Sequence, residues 1–312
     1  MEFKPIVPFE PTITKEIPTG DKWIAQIKWD GVRILSYFNG HHVKLFNRKL
    51  NERTNHYPEL IDIQTYCNVN SVILDGEVIA LGNDGKPSFH EIMKRDGIRR
   101  LDKIKRMQNI VPITYMIFDI LYLNGEWINS WPLKKRIKAL SAIIKPNPTI
   151  QLVSSHHDGK ELFNVVVQHQ MEGIVVKNLN SSYIINGKDS RWQKIKNYQD
   201  LIAVVGGVTL REGIVNAILL GLYDQEGQLW YIGHAGTGKL THTDWRSFTK
   251  KVKEHVQKER PFINKPERMN EVIWIRPQIT VKVKFMEWTE NQTLRQPSIQ
   301  GFVDHPKDEC TF

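Results

Sequence analysis

The sequence has 312 residues, 40% hydrophobic and 25% charged, with a formal net charge of +9 and a pI near 9.3. That length accommodates two domains with cores of their own, and the composition excludes a disordered or low-complexity chain. The cationic excess suits a polyanionic partner through counterion release and steering, although a basic solvated surface gives the same charge.

No apolar run approaches the roughly 18 residues needed to cross a bilayer. The start, Met1-Glu2-Phe3-Lys4-Pro5, has neither a cationic n-region nor an apolar h-region, so no signal peptide and a cytosolic location are expected. Cys67 and Cys310 lack Cys-x-x-Cys spacing, which points to a reducing compartment without structural zinc.

In chain order, Trp23-Ile24-Ala25-Gln26-Ile27 reads as a short apolar strand that ends on Lys28-Trp29-Asp30-Gly31-Val32-Arg33. A lysine there has a fixed backbone, a tight Asp-Gly turn and a second cation close by, which a phosphate-attacking amine needs; a plain strand ending in a polar turn is the bland alternative. Arg48 follows another strand, and Ser71-Val72-Ile73-Leu74 runs into Asp75-Gly76-Glu77. His90 to Met107 reads as a basic helix carrying Lys94, Arg95, Arg99, Arg100, Lys103, Lys105 and Arg106, a solvated face or a phosphate contact. Tyr115-Met116-Ile117-Phe118 reads as a buried strand, Leu133 to Ile144 as a helix, and Gly173 to Lys177 as another strand. In Arg191-Trp192-Gln193-Lys194-Ile195-Lys196, strand alternation puts Lys194 and Lys196 on one face, as two cations for one phosphate require. The pattern changes at 197–201. Short runs follow (Leu201–Val205, Asn216–Tyr223, Leu229–Ile232, Ile273–Ile275, Thr280–Phe285), separated by glycines and one helix at Thr243–Val256, which suggests a small barrel.

These runs resemble the motifs of covalent nucleotidyltransferases (ATP- and NAD-dependent DNA ligases, RNA ligases and mRNA capping enzymes). Lys28 to Arg33 resembles K-x-D-G-x-R, Glu172-Gly173-Ile174-Val175-Val176-Lys177 resembles E-G-x-V-x-K, and Trp192 to Lys196 resembles W-x-K-x-K. Arg295-Gln296-Pro297-Ser298-Ile299-Gln300-Gly301-Phe302 resembles the R-x-P-x-x-x-G-[FL] run that ends ATP-dependent DNA ligases of the bacterial ligase D type. Tyr231-Ile232-Gly233-His234-Ala235-Gly236-Thr237-Gly238 and the tail Lys307 to Phe312 are similar to that group as well. The motifs stand in the family's order across residues 26–302.

The resemblance implies an α+β fold: an adenylation domain of antiparallel sheets flanked by helices over residues 1–199, then an OB-fold β-barrel over 200–312. It implies ATP-dependent sealing of 5′-phosphate/3′-hydroxyl nicks through a lysyl-AMP intermediate and adenylated DNA, in repair or end joining. Lys28 is then the nucleophile. Gln26 meets the adenine amino group, Ile27 belongs to the nucleotide-binding residues, Phe118 stacks on the adenine, Arg48 meets the ribose side and the nick, and Glu77 binds the ribose hydroxyls. Arg33, Lys194 and Lys196 serve the phosphates, Arg295 belongs to the last motif, and Glu77 and Glu172 hold Mg²⁺, with Mn²⁺ as the alternative. Nicked or broken double-stranded DNA is the expected partner, with Ku and a polymerase domain or protein in end joining; no membrane is involved and a monomer is expected. An RNA ligase, a capping-type enzyme and a non-catalytic nucleic-acid-binding relic are the competing readings.

Three positions depart from the family pattern. Gln26 stands where glutamate is common, and its amide oxygen can still accept from the adenine amino group. Ser190 stands where an arginine is common, with Arg191 beside it. The last motif reads Asp304-His305-Pro306-Lys307 instead of closing on Asp-Lys, so His305 or Lys307 takes the final position. Attack needs a neutral amine, and an ordinary lysine titrates near ~10.4, so the cations Lys194, Lys196 and Arg33 and a bound metal would all assist it. If the last motif serves only the first step, Arg295→Ala will slow lysyl-AMP formation far more than sealing of a pre-adenylated nick; equal slowing would contradict that role.

Overall fold

The computed structural model describes residues 4–312 apart from 237, 267, 268, 270, 287 and 290. In chain order the strands are β1 (Glu10–Ile13), β2 (Trp23–Ile27), β3 (Val32–Phe38), β4 (Val43–Asn47), β5 (Val72–Ile79), β6 (Thr114–Leu123), β7 (Glu126–Trp127), β8 (Ile150–Leu152), β9 (Gly173–Asn178), β10 (Lys188–Lys196), β11 (Gln199–Arg211), β12 (Ile214–Tyr223), β13 (Leu229–Ala235), β14 (Ile273–Phe285) and β15 (Ser298–Val303). The α-helices are α1 (Phe89–Asp96), α2 (Ile104–Ile110), α3 (Leu133–Ile143), α4 (Gly159–Gln168) and α5 (His242–Val252). The chain divides into two compact units between Asn197 and Tyr198.

In the first unit two sheets lie face to face. One has the order β1-β10-β9-β2, the other β4-β3-β5-β6-β7 with β8 added beside β6. Strand alternation sorts the side chains. Ala25, Ile174, Val176 and Ile195 turn to Leu162 and Val166 of α4, whose first turn is capped by Asp158 accepting from the Lys160 and Glu161 amides. Leu35, Tyr37, Ile73 and Leu121 of the second sheet meet Trp192 of the first in a shared core that also holds Phe9 and Tyr183. Ile34, Leu74, Val78, Tyr115 and Ile117 face outward against Ile92 of α1 and Leu140 of α3. The result is four layers, helix–sheet–sheet–helix.

The second unit is a curled antiparallel sheet, β13-β12-β11-β14-β15, whose edges are tied by a bridge between Gly238 and Ile299. Helix α5, opened by a reciprocal Thr241/Asp244 cap, contributes Phe248 and Val252 to its core. This is the five-stranded OB-type barrel.

Two expectations from the sequence need correction. The basic helix over His90–Met107 is two short helices broken after Asp96, where Gly97 ends α1. Arg95 is fully buried, donating to the His56 and Val111 carbonyls and pairing with Glu59, so it packs the unit and is not a surface phosphate contact. Secondly, Ile273–Ile275 and Thr280–Phe285 belong to one strand, β14. Its pairing with β11 skips from Ile279 to Trp274 opposite Val205 and Gly207, and this bulge absorbs Pro277, which has no N–H to give.

Cys67 and Cys310 are both free and buried. Among the described residues, no helix is long and apolar enough to cross a membrane. The first unit also holds a fully buried ion pair in which Arg136 Nε and Nη2 donate to the Asp119 carboxylate at 2.8 and 3.0 Å. Asp119→Ala strands that guanidinium without a counter-charge, so a loss of about 3–5 kcal/mol is expected from urea denaturation of the full chain. A loss below about 1 kcal/mol would mean the pair is dispensable.

Candidate active site

The inner face of the first sheet is arranged in three rows set by register. Ile24, Lys177 and Trp192 are paired across β2, β9 and β10; next come Gln26, Val175 and Lys194. In the third row the Lys28 amide donates to the Gly173 carbonyl at 2.9 Å and Lys196 pairs with Gly173. Lys28, Gln26, Lys194 and Lys196 thus share one face. Two glycines make this possible. A Cβ on Gly173, whose φ is +153°, would lie 2.1 Å from the Ile195 carbonyl oxygen; one on Gly31 would lie 2.3 Å from that of Val78.

Lys28 Nζ sits 2.7 Å from Glu172 Oε1, with Lys196 Nζ 3.9 Å from the same oxygen. Glu172 is buried, while Lys28 stays partly open to solvent. Burial, and then the Lys28 charge, hold the Lys194 ammonium below its ordinary value, with Glu10 and Glu172 pulling the other way. Gln26 is buried, and its Nε2 donates to Ser155 Oγ at 3.1 Å, which leaves Oε1 as the acceptor for an incoming group. Ile27 lies at the end of β2 with its side chain turned to the α4 core, so its backbone, not its side chain, is the part available to a nucleotide.

The second sheet supplies the opposite wall. Phe118 is the extra residue of a bulge in β6, where pairing with β5 skips from Asp119 to Ile117. Bulges re-aim side chains next to sites, and this one sends the ring to the inner face, edge to face with Trp192 at 6.1 Å. Glu77, opposite Arg33 in the β3–β5 register, also faces inward. Burial pushes its carboxyl up to about 7; Lys28 and Arg33 oppose the rise, and Glu172 and Asp30 add to it.

Other expected site residues have different surroundings. Arg33 Nε and Nη2 bind the Asp75 carboxylate at 2.9 and 2.6 Å, Nη1 donates to the Phe9 carbonyl and Nη2 also to Tyr183 Oη. A guanidinium so engaged joins β3 and β5 to the segments of Phe9 and Tyr183, with most of its donors already taken. Arg48 is exposed and paired with Glu10 at 3.2 Å. Arg191 is held by Asp189 and by Ser182. In the second unit, His305 Nε2 lies 3.3 Å from Glu309, Lys307 opens a short 3-10 turn, and the exposed Arg295 accepts the Met286 amide at its carbonyl. Thr237, of the Tyr231–Gly238 run, lies outside the described residues.

Four neighbours of the site were given no role from the sequence: Asp75, Ser155, Lys177 and Trp192. Asp75 and Lys177 stood inside quoted motifs, and their parity with Glu77 and Val175 was the available signal. Ser155 carried none, because it is brought in by a loop whose His156 bridges Ala25.

The chain matches the model of the ATP dependent DNA ligase domain over residues 7–196 and that of the ATP dependent DNA ligase C terminal region over 211–304. It therefore belongs to the ATP-dependent DNA ligase family. The SPbeta prophage-derived DNA ligase-like protein LigB of Bacillus subtilis (strain 168) is 33% identical over 200 residues, 64% of this chain and 70% of that protein. The multifunctional non-homologous end joining protein LigD of Mycolicibacterium smegmatis is 28% identical over 318 residues, 100% of this chain and 40% of that protein. The solved structure of mycobacterial DNA ligase D complexed with ATP and MES aligns with a TM-score of 0.75 and 25% identity, covering 100% of this chain and 99% of that one. The chain spans about half the length of most of the curated relatives it matches.

A carboxyl raised from 4.5 to about 7 binds its proton more tightly in the folded chain than in the unfolded one. Stability therefore falls as pH rises through that window. Glu77→Gln removes the effect, so its advantage over wild type in urea midpoint should be near zero at about pH 4.5 and grow by about pH 8. A pH-independent gap would mean that Glu77 titrates normally.

Proposed function

We propose that this chain seals 5′-phosphate/3′-hydroxyl nicks in duplex DNA at the expense of ATP, through a lysyl-AMP on Lys28. The observation that carries the reading is the grouping of Lys28, Glu172, Lys194 and Lys196 on one sheet face, next to Gln26 and opposite Phe118 and Glu77. Amine nucleophile, phosphate cations, base platform and carboxylates are then within one cleft of one unit.

In the first step Lys28 Nζ, once it has lost its proton, forms a bond to the α-phosphorus of ATP as the bond to pyrophosphate breaks. Glu172 orients Nζ through the 2.7 Å ion pair. Lys194 and Lys196 neutralise the phosphate oxygens. Phe118 stacks on the adenine, Gln26 Oε1 accepts from its amino group, and Glu77 takes the ribose hydroxyls. AMP then passes to the 5′-phosphate of the nick, and the 3′-hydroxyl displaces it as the strand is sealed. Positioning and charge neutralisation supply most of the rate in such transfers.

A divalent metal fits the donor set. Glu77 and Glu172 converge closely enough that the charge of Glu172 helps raise Glu77, a repulsion that a hard cation relieves. Among the described residues no cluster of three or more His, Cys, Asp or Glu forms a cage, and Mg²⁺ commonly binds by one or two carboxylates plus substrate phosphates. Mg²⁺ or Mn²⁺ held by these two would neutralise charge developing on the phosphate.

The net charge of +9 supports a DNA substrate. Full coverage by a relative named for non-homologous end joining supports broken as well as nicked duplexes, with Ku and a polymerase as partners in the bacterial cytosol. Intact mass after incubation with ATP and Mg²⁺ should show a gain of one AMP on wild type and none on Lys28→Ala. A GMP adduct with GTP would move the activity to capping chemistry, and absence of any adduct would overturn the reading.

A further inference from the structure

Lys177 is buried to 2% exposure, and its Nζ has no hydrogen-bond partner. It lies 4.0 Å from the centroid of Trp192 and 4.3 Å from that of Phe118. An amine stripped of water and given no acceptor is costly, and methionine would fill the same slot without that cost. What a cation gains here is the two aromatic faces.

The surrounding charges make this lysine a surplus cation. Asp119 from β6 and Asp75 from β5 attract it; Arg136 from α3 and Arg33 from β3 repel it. Its neighbours in register, Ile24 on β2 and Trp192 on β10, are uncharged. Both aspartates are already taken in bidentate fashion by the two arginines. The Lys177 ammonium is accordingly held down to about 7, with burial as the first cause.

We propose that Lys177 is a positioning residue for the nucleotide base: its ammonium polarises the Phe118 ring, and the polarised ring stacks more tightly on a purine. A cation against an aromatic ring draws electron density from it and weakens its repulsion toward a second π-system. An anionic nucleotide in turn favours the charged form of Lys177, so the two bind cooperatively. The inference rests on the reading of Phe118 as the base-stacking ring. It adds to that reading a residue that tunes the ring and a pH dependence of nucleotide binding.

The test is the rate of lysyl-AMP formation against ATP concentration for wild type, Lys177→Met, Lys177→Arg, Phe118→Leu and the double variant Phe118→Leu/Lys177→Met. At about pH 6.5, Lys177→Met should raise the KM for ATP roughly tenfold, with a smaller change in kcat. The ratio to wild type should shrink by about pH 8.5, where wild type has itself lost the charge; Glu77 and the phosphates titrate alike in both proteins and cancel in that ratio. Lys177→Arg should keep the low KM at both pH values, and the double variant should be no worse than Phe118→Leu alone.

Equal losses in kcat and KM, a ratio that ignores pH, or an additive double variant would overturn the proposal and leave Lys177 as core packing. If Lys177→Met does not fold by thermal melt, Lys177→Arg decides: a wild-type pH dependence of KM in that variant contradicts the proposal. Phe118→Leu with an unchanged KM would instead overturn the base-stacking reading itself. A raised KM in Phe118→Leu with none in Lys177→Met would overturn only the role of Lys177.

Discussion

Where β2 ends, the Lys28 amide donates to the Gly173 carbonyl, and the Ile195 carbonyl lies where a side chain on Gly173 would have to be. Three backbones therefore meet at one residue, and the strands cannot close this far with any larger residue there. That contact fixes the register of β2, β9 and β10. Register then decides that Lys28, Lys194 and Lys196 point the same way, and that Glu172, one residue before the contact, reaches Lys28 Nζ.

The opposite wall is held by buried charge. Arg33 spans from Asp75 to the Phe9 carbonyl and the Tyr183 hydroxyl, and Arg136 spans from Asp119 to the Trp131 and Ser181 carbonyls. Buried pairs of this kind add little net stability against an apolar filling, but losing either partner is expensive. They therefore penalise misalignment of the two sheets more than they drive folding. Asp119 flanks the bulge that presents Phe118, so the same network anchors the strand segment that carries the ring.

Much of this was legible in the residues. Lys28, Glu77, Phe118, Glu172, Lys194 and Lys196 are six of the eleven site residues that the sequence points to, and the structure places these six on facing sheets of the first unit. Arg33 shows the limit of such reading. A motif names a cation but does not say what will neutralise it, and Asp75, forty-two residues away in sequence, does so here. Arg95 failed in the same way: its neighbours Lys94 and Arg99 suggested a solvated basic helix, and Glu59 and two carbonyls draw it inside. Ser155 could not be found, because a loop serine gains a role only from the strand it comes to lie beside.

The order of motifs, the alternation along β9 and β10 and the glycines at 31 and 173 are local properties, and so the sequence by itself determined the family and the α+β architecture of antiparallel sheets flanked by helices. Partners that are distant along the chain were decided only by the tertiary structure. It turned Arg33 inward, placed Lys177 between two rings without a hydrogen bond, and raised Glu77 to about 7. The physical reason is that burial and counter-charge depend on which strands stack and in which register, and both arise only when the two sheets close on each other.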